Sequence, residues 1–236
     1  MNEFNDVLQS GMAKFNIILT EKQLWQFNEY YKLLTQWNNK MNLTAITEPT
    51  EVALKHFVDS CSILNYIKVK ENAKVIDIGT GAGFPGIPLK IVRDDINLTL
   101  LDSLNKRLLF LNEVAKEIGI TANTIHGRAE DYGKDITYRE KYDMAVSRAV
   151  APLNVLSEYC IPFVRKGGIF VSMKGPNVQE EVNAGKNSIK LLGGKINNVK
   201  QFSLGDNSRS IIIVDKVNNT PAAYPRHGSK ISKKPL

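Results

Sequence analysis

From Lys74 onward, short apolar runs alternate with stretches of helical periodicity, and that alternation constrains the fold more than any other feature of the chain. Val75-Ile76-Asp77-Ile78 reads as a compact strand buried on both sides, and residues 97–101 read the same way. After them Leu104, Leu108, Leu111, Ala115 and Ile118 line one helical face, with Ser103 expected as the N-cap and Gly119 just past the end. Further strands are predicted at 123–126, 143–146, 168–173, 196–202 and 210–217, and helices over 155–164 and 178–191. A chain that alternates in this way builds an α/β, doubly wound, mostly parallel sheet with helices on both faces. The last two strands are joined only by Leu204-Gly205-Asp206-Asn207, so they are expected to end the sheet as an antiparallel hairpin.

Ahead of this region the chain reads as helical. Thr20 with Gln23 forms a capping box and Leu19 with Leu24 a hydrophobic staple, followed by Leu24, Phe27, Tyr31 and Leu34 on one face. Asn38-Asn39-Lys40 ends that helix. Pro49 then suits a first helical turn, with Ala53, Phe57, Cys61 and Leu64 at helical spacing behind it. The expected organisation is an N-terminal helical extension over 1–70, a ligand-binding α/β domain over 71–220 and a basic tail over 221–236.

No apolar run approaches the roughly 20 residues that a bilayer span requires, and the opening residues lack a secretory leader, so the expectation is a cytoplasmic protein without membrane contact. Cys61 and Cys160 each sit among apolar residues, away from any Cys or His at ligand spacing, which suits reduced core thiols and no metal site. The formal net charge of +7 favours a polyanionic partner, although a basic chain also uses such charge for solubility.

The segment DIGTGAGFPG, from Asp77 to Gly86, lies at the carboxyl end of the first strand, where open α/β sheets bind ligands. Gly81, Gly83 and Gly86 match the dinucleotide spacing G-x-G-x-x-G. In the competing register, Gly79, Gly81 and Gly83 behind Asp77 match a loop that seats the methionine half of S-adenosylmethionine. The second register is favoured, because the glycines begin directly after the strand and a carboxylate suits a cationic ligand better than a diphosphate. Asp102 ends the next strand near the spacing at which an acid meets ribose hydroxyls, or else it caps the following helix. Ala129 and Glu130 follow the third strand, where this architecture meets an adenine edge; Glu130 is equally at home as a first-turn helix residue.

Together with MNLTAI from Met41, HFVDS from His56, GRAE from Gly127, SRAV from Ser147 and the full string DIGTGAGFPGIPL from Asp77, this loop closely resembles the family of bacterial 16S ribosomal RNA guanine-N7 methyltransferases, the glucose-inhibited division protein B (RsmG) family. The resemblance covers nearly the whole chain. It implies a Rossmann-like class I methyltransferase fold and methyl transfer from S-adenosylmethionine to N7 of one guanine in 16S ribosomal RNA, with either the 16S ribosomal RNA itself or the small ribosomal subunit as partner. It also implies cofactor contacts at Gly79, Phe84, Ala129, Glu130 and Arg148, with Asp102 at the ribose. Guanine N7 already carries a free lone pair, so no general base is expected and catalysis rests on orientation and electrostatics.

Candidates for the substrate side are Arg148, Asn42, His56, Asp59 and Lys174. Arg148 is suited to a methionine carboxylate, to RNA phosphate or the guanine face, or to a plain salt bridge. His56 and Asp59, three apart on one helix, also suit a structural pair. Lys174 ends a strand on the ligand-bearing edge. The tail supplies Arg226, His227, Lys230, Lys233 and Lys234 without an acid; it reads as too polar to build core and as a source of phosphate contacts, or as a solubilising terminus. Other readings left open are a methyltransferase of the same fold acting on a small molecule or protein, a non-catalytic RNA-binding protein, and an NAD-dependent dehydrogenase.

Overall fold

The computed structural model describes residues 3–236. One seven-stranded sheet runs in the order β3-β2-β1-β4-β5-β7-β6, with β1 Lys74–Ile78, β2 Asn97–Asp102, β3 Ala122–His126, β4 Tyr142–Arg148, β5 Val164–Lys174, β6 Gly194–Leu204 and β7 Asn207–Lys216. The first five strands are parallel, and β7 pairs antiparallel with both β5 and β6. Strand order reverses between β1 and β4, which opens a crevice beyond their carboxyl ends.

The inner strands β1, β2, β4 and β7 carry apolar runs because both faces are buried there, whereas the edge strands β3 and β6 are largely polar and half-exposed. Val75, Leu100, Val146 and Ile213 enter one core cluster, and their neighbours Ile76, Leu101, Ala145 and Ile212 enter the other. The second face is covered by α8 Leu153–Cys160 and α9 Gln179–Leu191, with the short α7 Ala129–Tyr132 beside them. The first face is covered by α5 Gly86–Val92 and α6 Asn105–Glu117, and the N-terminal helices join the same cluster through Phe4, Leu8, Phe27, Tyr30, Leu34 and Phe57.

Those N-terminal elements are α1 Glu3–Ala13, α2 Glu21–Asn38, and a continuous helical segment made of α3 Pro49–Val52, a π-helical turn Ala53–Val58, α4 Asp59–Cys61 and a 3-10 turn Ser62–Asn65. The expected capping box is present, Thr20 accepting from Gln23 and Gln23 returning the bond to the Thr20 N–H. The Gln23 amide also donates to the Ile91 carbonyl, stitching α2 to α5.

Several expectations shift. The helix predicted over 155–164 ends at Cys160, because Pro162 cannot donate into another α-turn; a 3-10 turn follows and β5 starts at Val164, four residues earlier than expected. Helix α6 starts at Asn105, and Ser103 is not its cap: the Asp102 carboxylate takes the Leu104 N–H at 2.9 Å instead.

The largest correction is the tail, which is built into the fold. Arg226 grips the fully buried Glu158 carboxylate through Nε at 2.9 Å and Nη2 at 2.7 Å, while its own N–H donates to the same carboxylate at 2.7 Å. Arg226 is therefore not a free phosphate ligand. Ile231, in α10 Gly228–Lys233, is fully buried, so the segment does contribute to the core.

Candidate active site

The loop after β1 turns because three glycines, Gly79, Gly81 and Gly83, adopt positive φ. At Gly83, φ +96°, an added Cβ would strike the Tyr30 hydroxyl, and that hydroxyl donates to the Ala82 carbonyl. At Gly81, φ +60°, an added Cβ would meet nothing nearer than 3.9 Å, so the backbone there lies open to the crevice. Its N–H donates to Asp102 Oδ2 at 2.9 Å.

The crevice holds a cavity of about 460 Å³, in the range of small-molecule sites. Of the residues expected from sequence, Gly79, Gly81, Phe84, Asp102, Ala129, Glu130, Arg148 and His56 line it. Thr44, Arg107, Arg128 and Tyr159 also line it. Among these Arg128 had a local signal, standing inside the GRAE string, whereas Tyr159 arrives from a distant helix that no motif marks.

Asp77 is not part of the wall. It lies fully buried behind the loop, where Oδ2 accepts from the Thr80 hydroxyl at 2.8 Å and the Gly86 N–H at 2.9 Å. Among the described residues its Oδ1 has no hydrogen-bond partner, and burial raises its pKa to about 6. Direct contact with a ligand is thus replaced by a bracing role. That placement also bears on the two glycine registers. The Gly86 N–H belongs to Asp77, and the Ile87 and Leu89 N–H groups go to the Gly83 and Pro85 carbonyls. The start of α5, which would receive a diphosphate in the dinucleotide register, has its donors taken and a carboxylate against it.

Asp102 accepts from Gly81 and Leu104 through different oxygens, and Arg107 Nη1 stands 3.3 Å from Oδ2. Each oxygen keeps lone-pair capacity toward the cavity, and the long Arg107 contact can yield to ligand hydroxyls. Asp102 therefore holds the N–H of Leu104, the residue that precedes α6, and lines the cavity with the same carboxylate.

Opposite stands a cluster built on Arg148. Its Nη1 donates to Asp59 Oδ2 and to the Lys55 carbonyl, both at 3.1 Å, and Nη2 lies 3.1 Å from His56 Nδ1. A guanidinium only donates, so Nδ1 must accept and the imidazole proton sits on Nε2, which reaches the Thr44 hydroxyl at 2.8 Å. Burial, then the Arg148 charge, pushes His56 down to about 3, so the ring is neutral at physiological pH. His56 stacks on Phe84 with centroids 4.5 Å apart, and the Arg148 guanidinium lies 4.8 Å from the same ring. Asp59 is buried beneath, with Arg209 Nε 3.2 Å from its other oxygen; burial raises its pKa against the pull of both arginines. His56 and Asp59 are thus joined through Arg148 rather than to each other. The π-helical turn carries His56 and leads into Asp59.

Two candidates stand apart. Asn42 is exposed, one position before Leu43 and Thr44, whose N–H groups are held by the Asn38 side chain. Lys174 is not an RNA-facing cation: its ammonium is bound to Glu181 and to the Ala151 carbonyl, with the side chain only 9% exposed. Among the described residues no group of three His, Cys, Asp or Glu side chains is placed to hold a metal ion, and no helix is long and apolar enough to cross a membrane.

A family model described as GidB, rRNA small subunit methyltransferase G, matches residues 23–212. The chain is 50% identical to the ribosomal RNA small subunit methyltransferase G of Desulforamulus reducens over all of both chains, and 49% identical to that of Clostridium botulinum over 99% of each. Among solved structures, TrmN from Thermus thermophilus is similar at a TM-score of 0.54 and 14% identity, covering 68% of this chain and 48% of that one. M. jannaschii TYW2 in complex with AdoMet is similar at 0.51 and 13%, covering 63% and 71%. These two likenesses concern the fold.

Proposed function

Since the chain belongs to the GidB family of rRNA small subunit methyltransferases, we propose that it transfers a methyl group from S-adenosylmethionine to N7 of a guanine in 16S ribosomal RNA, acting in the cytoplasm on the small ribosomal subunit. The observation that carries this reading is a wall with a carboxylate on one side and a clamped arginine on the other, around a glycine loop whose helix start is closed to diphosphate. When bound, the cofactor supplies a sulfonium-activated methyl group.

The chain's own residues do the rest. The Gly79–Gly81 backbone seats the amino-acid half, Asp102 receives the ribose hydroxyls, and Ala129 with Glu130 borders the adenine. Phe84, His56 and Arg148 form the opposite wall, a stacked and charged surface toward the base. Guanine N7 needs no deprotonation, and the site fits that demand: both His56 nitrogens are engaged and its pKa lies far below neutrality. Orientation and the fixed Arg148 charge are the available sources of rate.

The test is transfer of labelled methyl from S-adenosylmethionine to purified small subunits and, in parallel, to protein-free 16S RNA, followed by nuclease digestion and mass mapping. The expected product is one 7-methylguanosine, formed on the subunit. Label in another base, or none in either RNA, would overturn the assignment.

A further inference from the structure

The C-terminal segment lies beyond residues 23–212, the stretch matched by the family model, yet it reaches the wall of the cofactor cavity. Two arginines seat it. Arg139 donates to the carbonyls of Gly133, Tyr224, Thr220 and Pro221, and Arg226 is locked onto Glu158 of α8. The chain so held begins α10 directly on Glu130: a methyl group added to Gly228 would lie 1.9 Å from Glu130 Oε1 and 2.9 Å from Cδ. Glu130 in turn lines the cavity, as does Tyr159, the neighbour of Glu158 on α8.

We propose that Gly228 is a positioning residue for Glu130, so that the docked tail forms the outer support of the adenosyl end of the cofactor site. The inference rests on the reading of Glu130 as a cofactor contact. Only hydrogen fits at position 228 without moving the carboxylate. With a methyl group there, Glu130 Oε1 must retreat by about 1 Å to reach even the tightest van der Waals contact. Nothing else stands in the way, because the nearest atoms all belong to Glu130. Gly228 also has no left-handed backbone, and it occupies the first position of α10, where alanine is the better helix former. A substitution at this position should therefore leave the fold alone and act on the ligand.

The test uses the full chain and S-adenosylhomocysteine, with calorimetry and thermal melting on wild type, Gly228→Ala, Glu130→Ala and the double variant. Glu130→Ala should weaken binding by about tenfold or more, the scale of a lost hydrogen bond to a charged group. Gly228→Ala should weaken it several-fold while melting at or above the wild-type temperature, and should raise KM for S-adenosylmethionine without lowering kcat at saturation. In the Glu130→Ala background the glycine substitution should add almost nothing. Wild-type affinity in Gly228→Ala beside a weakened Glu130→Ala would refute the coupling, as would equal weakening in both backgrounds or a clear drop in melting temperature. Wild-type affinity in Glu130→Ala would instead remove the reading of Glu130, and the inference with it.

Discussion

Replacing Arg226 by alanine should destabilise the protein far more than a tail residue ordinarily would. Glu158 is fully buried, and among the described residues its carboxylate is reached by three donors, all from Arg226: the backbone N–H, Nε and Nη2. Alanine keeps the first and removes the other two along with the positive charge. Breaking a buried pair from one side leaves an uncompensated charge and costs about 3–5 kcal/mol. The surviving backbone bond and water entering the vacated space place the expectation near the lower figure. For a chain of this size 1 kcal/mol moves the melting temperature by about 2–4 °C, so a loss of roughly 6–12 °C is expected in scanning calorimetry at pH 7. A second variant separates charge from shape. Glu158→Gln combined with Arg226→Met removes both charges at similar volume and should recover a good part of the loss. If Arg226→Ala melts within about 2 °C of wild type, the tail is not docked through this pair, and Gly228 is not held against Glu130 by it.

Three further outcomes follow from the site. Burial holds Asp77 near pH 6, against about 3.9 in the unfolded chain, so the folded state binds that proton more tightly and stability falls as pH rises between about 4 and 6. Asp77→Asn should flatten that limb, its stability relative to wild type improving by on the order of 3 kcal/mol between pH 4 and pH 8 in denaturant titrations; parallel curves would contradict the burial argument. Asp102→Ala removes both the anchor of the Gly81 N–H and the acceptor facing the cavity, and S-adenosylhomocysteine binding should weaken by about 1.5–3 kcal/mol in calorimetry. Exchanging Lys230, Lys233 and Lys234 together for Gln, all three exposed, should leave melting and cofactor affinity unchanged while flattening the logarithmic salt dependence of subunit binding by about 0.7–0.9 for each phosphate no longer neutralised; an unchanged slope would make them a solubilising terminus.

The inner strands were legible because burial on both faces leaves short β-branched apolar runs bounded by turn residues, too short for a buried helix, and the hairpin because only a tight turn separates its two strands. Element edges were less so. Whether Ser103 or Asp102 closes the start of α6 depends on where β2 delivers a carboxylate, which periodicity does not encode. The same division runs through the site. Gly79, Gly81, Phe84, Asp102, Ala129 and Glu130 follow strand ends directly, so their place on the crevice comes from local sequence and topology together. Charged side chains behaved otherwise. Arg148 is answered by Asp59, 89 positions away, Arg226 by Glu158, 68 positions away, and Lys174 by Glu181 across a turn. A sequence displays each cation but not the acid that the fold sets against it. Each such pair removes one charge of either sign, so the net charge of +7 is untouched while its location changes. The excess that an RNA would feel must therefore come from cations left at the surface. Lys230, Lys233 and Lys234 in the tail and Arg128 at the cavity rim are exposed, and the arginines that looked most like phosphate ligands are occupied in holding the protein's own shape.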